Sequence, residues 1–334
     1  MTDRPRIFSG MQPTGELHIG NYLGALREWV RIAETDQFDA IFSVVDAHAT
    51  TVEYAPGQMR EQTFETALTY MAAGLDPERV TLMVQADVPA HMELTWYLST
   101  VTALGDLYRM TQFKEKSEEH RNNVNAGLFC YPVLMAADIL VYKATVVPVG
   151  NDQVQHLELA REVARRFNAR FGDVFPEPEA RLTNTPRIRG LDGKAKMSKS
   201  RGNTISLFDE PAVIHKKLKG AFTDELKLRR GDPGRPEVCN VFTIHCAVTE
   251  ADEVDRIERD CRSGALGCGE CKERLGQRLV AELDPIRQRA SELRGDRARV
   301  IEALRAGGAR CQLLAEATMA EVRAAMGMST RDMG

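Results

Sequence analysis

The feature that most constrains this chain is an alternation in its first half. Short β-rich runs stop abruptly at turn residues, and each is followed by a helical pattern. Ile7-Phe8-Ser9 runs into Gly10, Ala40–Val45 ends at Asp46, Val80–Val84 at Gln85, and Val146–Val149 at Gly150. Helical patterns fill 22–34, 58–73, 92–105, 129–142 and 153–170. Parallel strands need long crossovers, so this order predicts an α/β fold, a doubly wound parallel sheet with helices on both faces. Ligands of such sheets bind beyond the carboxyl ends of the strands, where Gly10, Asp46, Gln85 and Gly150 fall.

After about residue 200 the β-rich runs fade and the pattern becomes mostly helical, broken at Gly231-Asp232-Pro233-Gly234-Arg235-Pro236. This part carries Lys216, Lys217, Lys219, Lys227, Arg229 and Arg230, then Arg287, Arg289, Arg294, Arg297 and Arg299. A length of 334 residues fits two domains, a nucleotide-binding α/β domain and a smaller helical one. With 44 Lys+Arg against 48 Asp+Glu, no global positive field draws in nucleic acid, so any such partner must be met by local basic patches. The N-terminus lacks the apolar core of a secretory signal. The longest uncharged stretch, Asn122–Ala137, is too short and too polar to span a bilayer. A cytoplasmic protein without a membrane segment is expected.

Two segments suit phosphates. The first strand ends in Phe8-Ser9-Gly10-Met11-Gln12-Pro13-Thr14-Gly15-Glu16-Leu17-His18-Ile19-Gly20-Asn21. Gly10, Pro13 and Gly15 shape a tight connection in which backbone can approach a ligand. A helix starting near His18 turns its unpaired N–H groups toward that ligand. His18 and Asn21 add side-chain donors on one face, and Gly20 leaves room for a flat ring. The second segment is Lys196-Met197-Ser198-Lys199-Ser200, between Gly193 and Gly202. Two flexible lysines in a mobile loop suit closure over a polyphosphate. Taken singly, the first reads equally as structural punctuation and the second as a solvated linker.

Together they resemble the two signature motifs of class I aminoacyl-tRNA synthetases, with Asn21 in place of the last His of the first. Ile7–Gly24, Tyr131–Gln153, Gln112–Lys116 and the C-terminal helix ending near Met326-Gly327 resemble the bacterial tryptophanyl-tRNA synthetase family in particular. The resemblance implies that L-tryptophan attacks the α-phosphorus of ATP, giving an adenylate and pyrophosphate, and is then passed to the terminal 2′-hydroxyl of tRNA(Trp). A carboxylate is already a competent nucleophile near neutral pH. The first step therefore needs alignment and charge stabilisation, and no general base.

The same resemblance assigns His18, Lys196 and Lys199 to catalysis, the lysines on the pyrophosphate. Gln12, Thr14, Gly20, Asn21, Lys116, Met197 and Ser198 fall to ATP, with Mg²⁺ held mainly through the phosphates. It implies a homodimer. It also implies a catalytic domain over 1–195, a mobile loop over 196–203, a helical anticodon-binding domain over 204–305, and a C-terminal helix over 306–334 packing back on the catalytic domain.

Tyr131, Met135 and Asp138 stand at i, i+4 and i+7, so one helical face carries them. A carboxylate on an otherwise apolar face is costly to bury alone. Read from residues only, Asp138 is an Asp paired with a Lys or Arg. With the resemblance it becomes the acceptor for the indole N–H. Phe8, His48 and Val149 then join Tyr131 and Met135 around the indole, and Gln153 lies near the ammonium.

Cys239, Cys261, Cys268 and Cys271 are spaced C-x21-C-x6-C-x2-C, with Cys246 as a competing fifth. Clustered cysteines in a cytosolic chain suggest metal rather than disulfides. A subset of the tryptophanyl family resembles this pattern and carries a 4Fe–4S cluster. Zinc and unliganded thiols are the other readings. Zinc is disfavoured because only one close Cys pair exists. The rival functions are a tyrosyl-tRNA synthetase and a catalytically idle paralogue that binds tRNA or protein.

Overall fold

The computed structural model describes residues 4–113, 124–182, 188–194, 197–198 and 201–328. Strand β1 (Arg6–Met11) leads through a loop into helix α1 (Ile19–Asn21), a π-helical turn over Tyr22–Leu26, and α2 (Arg27–Glu34). There follow β2 (Asp39–Val44), α3 (Asp46–Ala49), α4 (Pro56–Ala73), β3 (Thr81–Val84), α5 (Ala90–Ser99) and α6 (Leu104–Tyr108). Next come α7 (Ala126–Leu140), β4 (Val146–Val149), α8 (Val154–Phe171) and β5 (Glu179–Leu182). The remainder is helical: α9 (Pro211–Lys219), α10 (Asn240–Val248), α11 (Ala251–Ser263), α12 (Cys268–Gly295) and α13 (Arg297–Ala325).

The five strands pair in parallel in the order β3-β2-β1-β4-β5. Strands run out from the centre in both directions, so the doubly wound arrangement and its crevice beyond β1 and β4 follow. Each expected strand is present, and a fifth was not foreseen. β5 has the sequence Glu-Ala-Arg-Leu and is exposed throughout, so it has no apolar run to betray it. It is an edge strand, and charged residues suit an edge. The single helical stretch expected over 92–105 is two helices, α5 and α6, separated at Thr100–Ala103.

Alternation along the strands splits the core in two. Ile7, Phe42, Val44 and Leu82 face one cluster, which continues without a break into Ile244, Leu275, Leu279, Leu283 and Ile286 of the helical region. Phe8, Ile41, Met83 and Val147 face the other, closed by α5, α7, α8 and the Cys311, Ala315, Met319 and Val322 stripe of α13. The helical part thus shares a core with the sheet. Helix α13 runs unbroken through residues 305 and 306, so the C-terminal segment begins inside a helix. No described helix is long and apolar enough to cross a membrane.

Candidate functional site

His18 caps the helix that follows β1. Its backbone is extended (φ −117°, ψ 169°), its Nδ1 accepts the Gly20 N–H at 3.1 Å, and Asn21 Oδ1 accepts the His18 N–H at 3.1 Å. This reciprocal box gives Asn21 a structural task. The expectation that His18 and Asn21 both present donors to a ligand is corrected in part: Asn21 Oδ1 and His18 Nδ1 are acceptors turned to backbone. With Nδ1 accepting, the neutral imidazole carries its hydrogen on Nε2, so the ring keeps one donor.

The glycines also differ from expectation. A Cβ at Gly10 would stand 2.8 Å from both the Ser43 carbonyl oxygen and Val45 Cγ1, so this glycine serves the close approach of β1 and β2 instead of a ligand. At Gly20 a Cβ would meet the His18 ring at 2.9 and 3.0 Å and Met197 Sδ at 3.6 Å. The space expected for a flat ring is taken by those two side chains. Gly15, at φ +114°, does need its conformational freedom. Gln12 is half-buried and Thr14 exposed in the same loop.

The two motif segments meet. Ile19 N–H donates to the Ile205 carbonyl at 2.9 Å and Leu207 N–H to the Leu17 carbonyl at 3.1 Å, bridging His18 to Ser206. Met197 is buried, and the Ser198 N–H donates to Asn203 Oδ1 at 2.8 Å. Lys116, Lys196 and Lys199 lie outside the described residues.

Beyond the strand ends, Asp138 is 2% exposed, yet its partners are neither Lys nor Arg. Oδ1 accepts from Gln85 Nε2 at 2.6 Å and from His91 Nδ1 at 2.7 Å, and Oδ2 from His48 Nε2 at 2.8 Å. Burial alone would push this carboxyl up. The two histidines beside it reverse that and hold it far below the usual carboxylate range. His91 Nε2 meets the Tyr142 hydroxyl at 2.7 Å, and Phe8 stacks on the Tyr142 ring at 5.5 Å.

Of the residues expected around an indole, Phe8, His48, Tyr131 and Asp138 are thus linked through this cluster. The His48 and Tyr131 rings meet edge-on at 6.2 Å. Val149 is buried and Met135 half-buried in the same apolar cluster. The Tyr131 hydroxyl turns to His156 Nε2 at 2.9 Å and Gln112 Oε1 at 3.3 Å. Gln153 donates to Asp152 Oδ2 at 3.1 Å. Sequence reading placed Gln85 only among the strand ends where ligands bind, and missed His91, Tyr142 and His156. One faint signal existed: Tyr142 follows Asp138 by one helical turn.

Among the described residues no group of three or more His, Cys, Asp or Glu is set to hold a metal ion. The four expected ligands are nevertheless neighbours. Cys239 is buried and Cys261, Cys268 and Cys271 are half-buried. The Cys271 thiol is pushed up to about 12, first by burial and then by Cys239, Cys261 and Cys268. They are within electrostatic reach of one another without closing into a site. Cys246 is exposed.

Many expected basic contacts are spent internally. Arg289 donates to the Ala72 carbonyl at 2.6 Å, Arg294 pairs with Glu65 and Arg297 with Glu61, all on α4. Buried Lys227 donates to the Cys261 carbonyl. Lys216, Lys219, Arg229 and Arg230 remain on the surface.

The family described as tRNA synthetases class I (W and Y) matches residues 1–284. A tryptophan–tRNA ligase of Deinococcus radiodurans is 45% identical over 325 residues, 96% of this chain and 98% of that protein. The tryptophanyl-tRNA synthetase of Campylobacter jejuni, solved with ADP and tryptophan, superposes with a TM-score of 0.82 at 33% identity, covering 96% of this chain and 99% of that one. That of Mycoplasma pneumoniae gives 0.86 at 32% identity, covering 99% and 100%.

Proposed function

The chain belongs to the class I tRNA synthetases of the tryptophan and tyrosine group, and on that premise we propose which of its residues activate tryptophan. It is a tryptophan–tRNA ligase. The tryptophan carboxylate attacks the α-phosphorus of ATP with loss of pyrophosphate, and the aminoacyl group then passes to tRNA(Trp). The relatives' shared activity removes the tyrosyl and idle-paralogue alternatives.

In this reading Asp138 accepts the indole N–H. The observation that carries it is a buried carboxylate beyond the strand ends, held ionised by histidines, whose Oδ1 takes two donors and whose Oδ2 takes one. A carboxylate oxygen accepts two hydrogen bonds in its plane, so Oδ2 has capacity for the ligand. Phe8, His48, Tyr131, Met135 and Val149 enclose the ring, and Gln153 meets the ammonium. His18, through Nε2, faces the phosphates, with Gln12, Thr14, Gly20, Asn21, Met197 and Ser198 around the nucleotide. Lys116, Lys196 and Lys199 supply positive charge to them. Mg²⁺ rides on the ATP phosphates. Catalysis by alignment and charge stabilisation fits a site built from caps and donors.

We propose in addition that Cys239, Cys261, Cys268 and Cys271 hold a 4Fe–4S cluster pinning the helical anticodon-binding region, zinc being the alternative. An all-thiol donor set converging from three segments supports this. Such a cluster supplies a covalent tie between those segments. A homodimer is supported by apolar side chains left outward on α5 and α6: Met92, Trp96, Leu104 and Tyr108, with Trp96 71% exposed. The cytoplasm is the expected setting.

The test is amino-acid-dependent ATP–pyrophosphate exchange on protein purified without oxygen. Exchange with tryptophan alone supports the assignment. Exchange with tyrosine removes the role given to Asp138. Iron and acid-labile sulfide in the same sample, against stoichiometric zinc, decide the metal.

A further inference from the structure

Behind the tryptophan site a hydrogen-bonded chain crosses the core. Starting at Asp138 Oδ1, it passes to His91 Nδ1 at 2.7 Å and from His91 Nε2 to the Tyr142 hydroxyl at 2.7 Å. All three side chains are almost wholly buried, His91 and Tyr142 at 0% exposure. Neither His91 nor Tyr142 is placed in contact with tryptophan or ATP. Buried polar groups in an apolar cluster are costly unless each is satisfied, so a chain of them in register indicates a task.

Proton accounting gives the direction. Ionised Asp138 can only accept, so His91 Nδ1 donates to it and Nε2 of the neutral ring is left an acceptor. Tyr142 O–H then donates to His91 Nε2. That fixes the neutral His91 tautomer with its hydrogen on Nδ1, which donates to Asp138. Gln85 Nε2 fills the second acceptor position of the same oxygen at 2.6 Å. Oδ1 is thereby saturated from behind, and the carboxylate cannot turn that oxygen to the ligand without abandoning two partners.

We infer that His91 and Tyr142 are specificity-setting positioning residues, which together with Gln85 occupy Asp138 Oδ1 and so reserve Oδ2 for the indole N–H. Stacking of Phe8 on Tyr142 ties the same pair to the wall of the site. The inference rests on the assignment of Asp138 as indole acceptor. Its physical content is orientation: a carboxylate free to rotate accepts from water or from an internal donor as readily as from the substrate.

The experiment compares L-tryptophan with β-(3-benzothienyl)-L-alanine, which keeps the ring shape and replaces N–H by sulfur. The readout is the ratio of kcat/KM for the two in pyrophosphate exchange, measured for the native protein, Asp138→Asn, Tyr142→Phe and His91→Gln. Asp138→Asn should lower the ratio about tenfold to a hundredfold, the worth of one charge-assisted hydrogen bond. Tyr142→Phe and His91→Gln should each lower it about threefold to tenfold, through KM for tryptophan, while the analogue keeps its native kcat/KM to within about twofold. If Asp138→Asn leaves the ratio unchanged, the assignment of Asp138 fails and this inference with it. If Asp138→Asn lowers the ratio but Tyr142→Phe and His91→Gln do not, or both substrates lose equally, Asp138 stands and the positioning role is overturned.

Discussion

Helix α13 meets the sheet backbone at Gly307. A Cβ added at Gly307 would stand 1.9 Å from the Leu82 carbonyl oxygen and 2.8 Å from its carbon. Both obstacles are backbone of β3, so neither can swing aside. At the next residue, Gly308, a Cβ would meet only the Asp87 side chain at 3.7 and 3.8 Å, ordinary contact. Alanine is favoured over glycine inside a helix by about 1 kcal/mol, and at 308 that gain is unopposed. At 307 the helix must lift by more than an ångström, and overpacking of this kind costs about 3 kcal/mol when backbone has to yield. Gly307→Ala should therefore lose about 2 kcal/mol and Gly308→Ala gain about 1, leaving the two about 3 kcal/mol apart. Urea unfolding reads this directly, and thermal midpoints should differ by about 6 °C or more. Equal stability of the two variants would refute the contact of α13 with β3 as described.

Three further outcomes are expected. Asp39 is buried between Arg6 at 3.0 Å and Arg310 at 2.7 Å, and these partners outweigh burial to hold its carboxyl below the usual range. Arg310→Met should cost about 1–2 kcal/mol at neutral pH, discounted because the guanidinium is partly exposed. The contribution of ionised Asp39 is complete above the ordinary carboxylate pKa and lost as pH falls through its depressed value. The stability gap between Arg310→Met and the native protein should therefore close in acid, and a gap that widens below about pH 4 contradicts the pairing. Asn203 holds the second motif segment through the Ser198 N–H and reaches Asp192 Oδ2 at 3.2 Å; Asn203→Ala should raise KM for ATP in exchange with little change in KM for tryptophan. Tyr22 donates to Glu282 Oε1 at 2.9 Å, tying the helix after β1 to α12, and Tyr22→Phe should cost about 1 kcal/mol in urea unfolding.

The parts of this protein legible in its sequence are those governed by neighbours along the chain. Short β-rich runs closed by turn residues announce β1 to β4, and a His-Ile-Gly-Asn segment after a Gly-Pro-Gly loop announces a helix start, which His18 duly caps. Even the helical face carrying Tyr131, Met135 and Asp138 follows from spacing alone. β5 escaped because an exposed edge strand of four mixed residues has no pattern to read.

What the sequence does not state is which distant residues meet, and that decides the chemistry of Asp138. Its donors Gln85, His91 and His48 lie 53, 47 and 90 positions away: Gln85 and His48 come from the adjacent ends of β3 and β2, and His91 from α5, packed against α7. The same holds for Gly10, read as an opening toward a ligand and found instead against Ser43 and Val45 of the adjoining strand. The basic residues of α12 and α13 follow suit: Arg289, Arg294 and Arg297 look like a surface for a polyanion until α4 is laid beside them. A side chain's own identity sets what it can donate or accept. Only the tertiary arrangement decides whether that capacity is already taken, because the cost of leaving a buried group unpaired is settled by whatever the fold brings within 3 Å of it, at any separation along the chain.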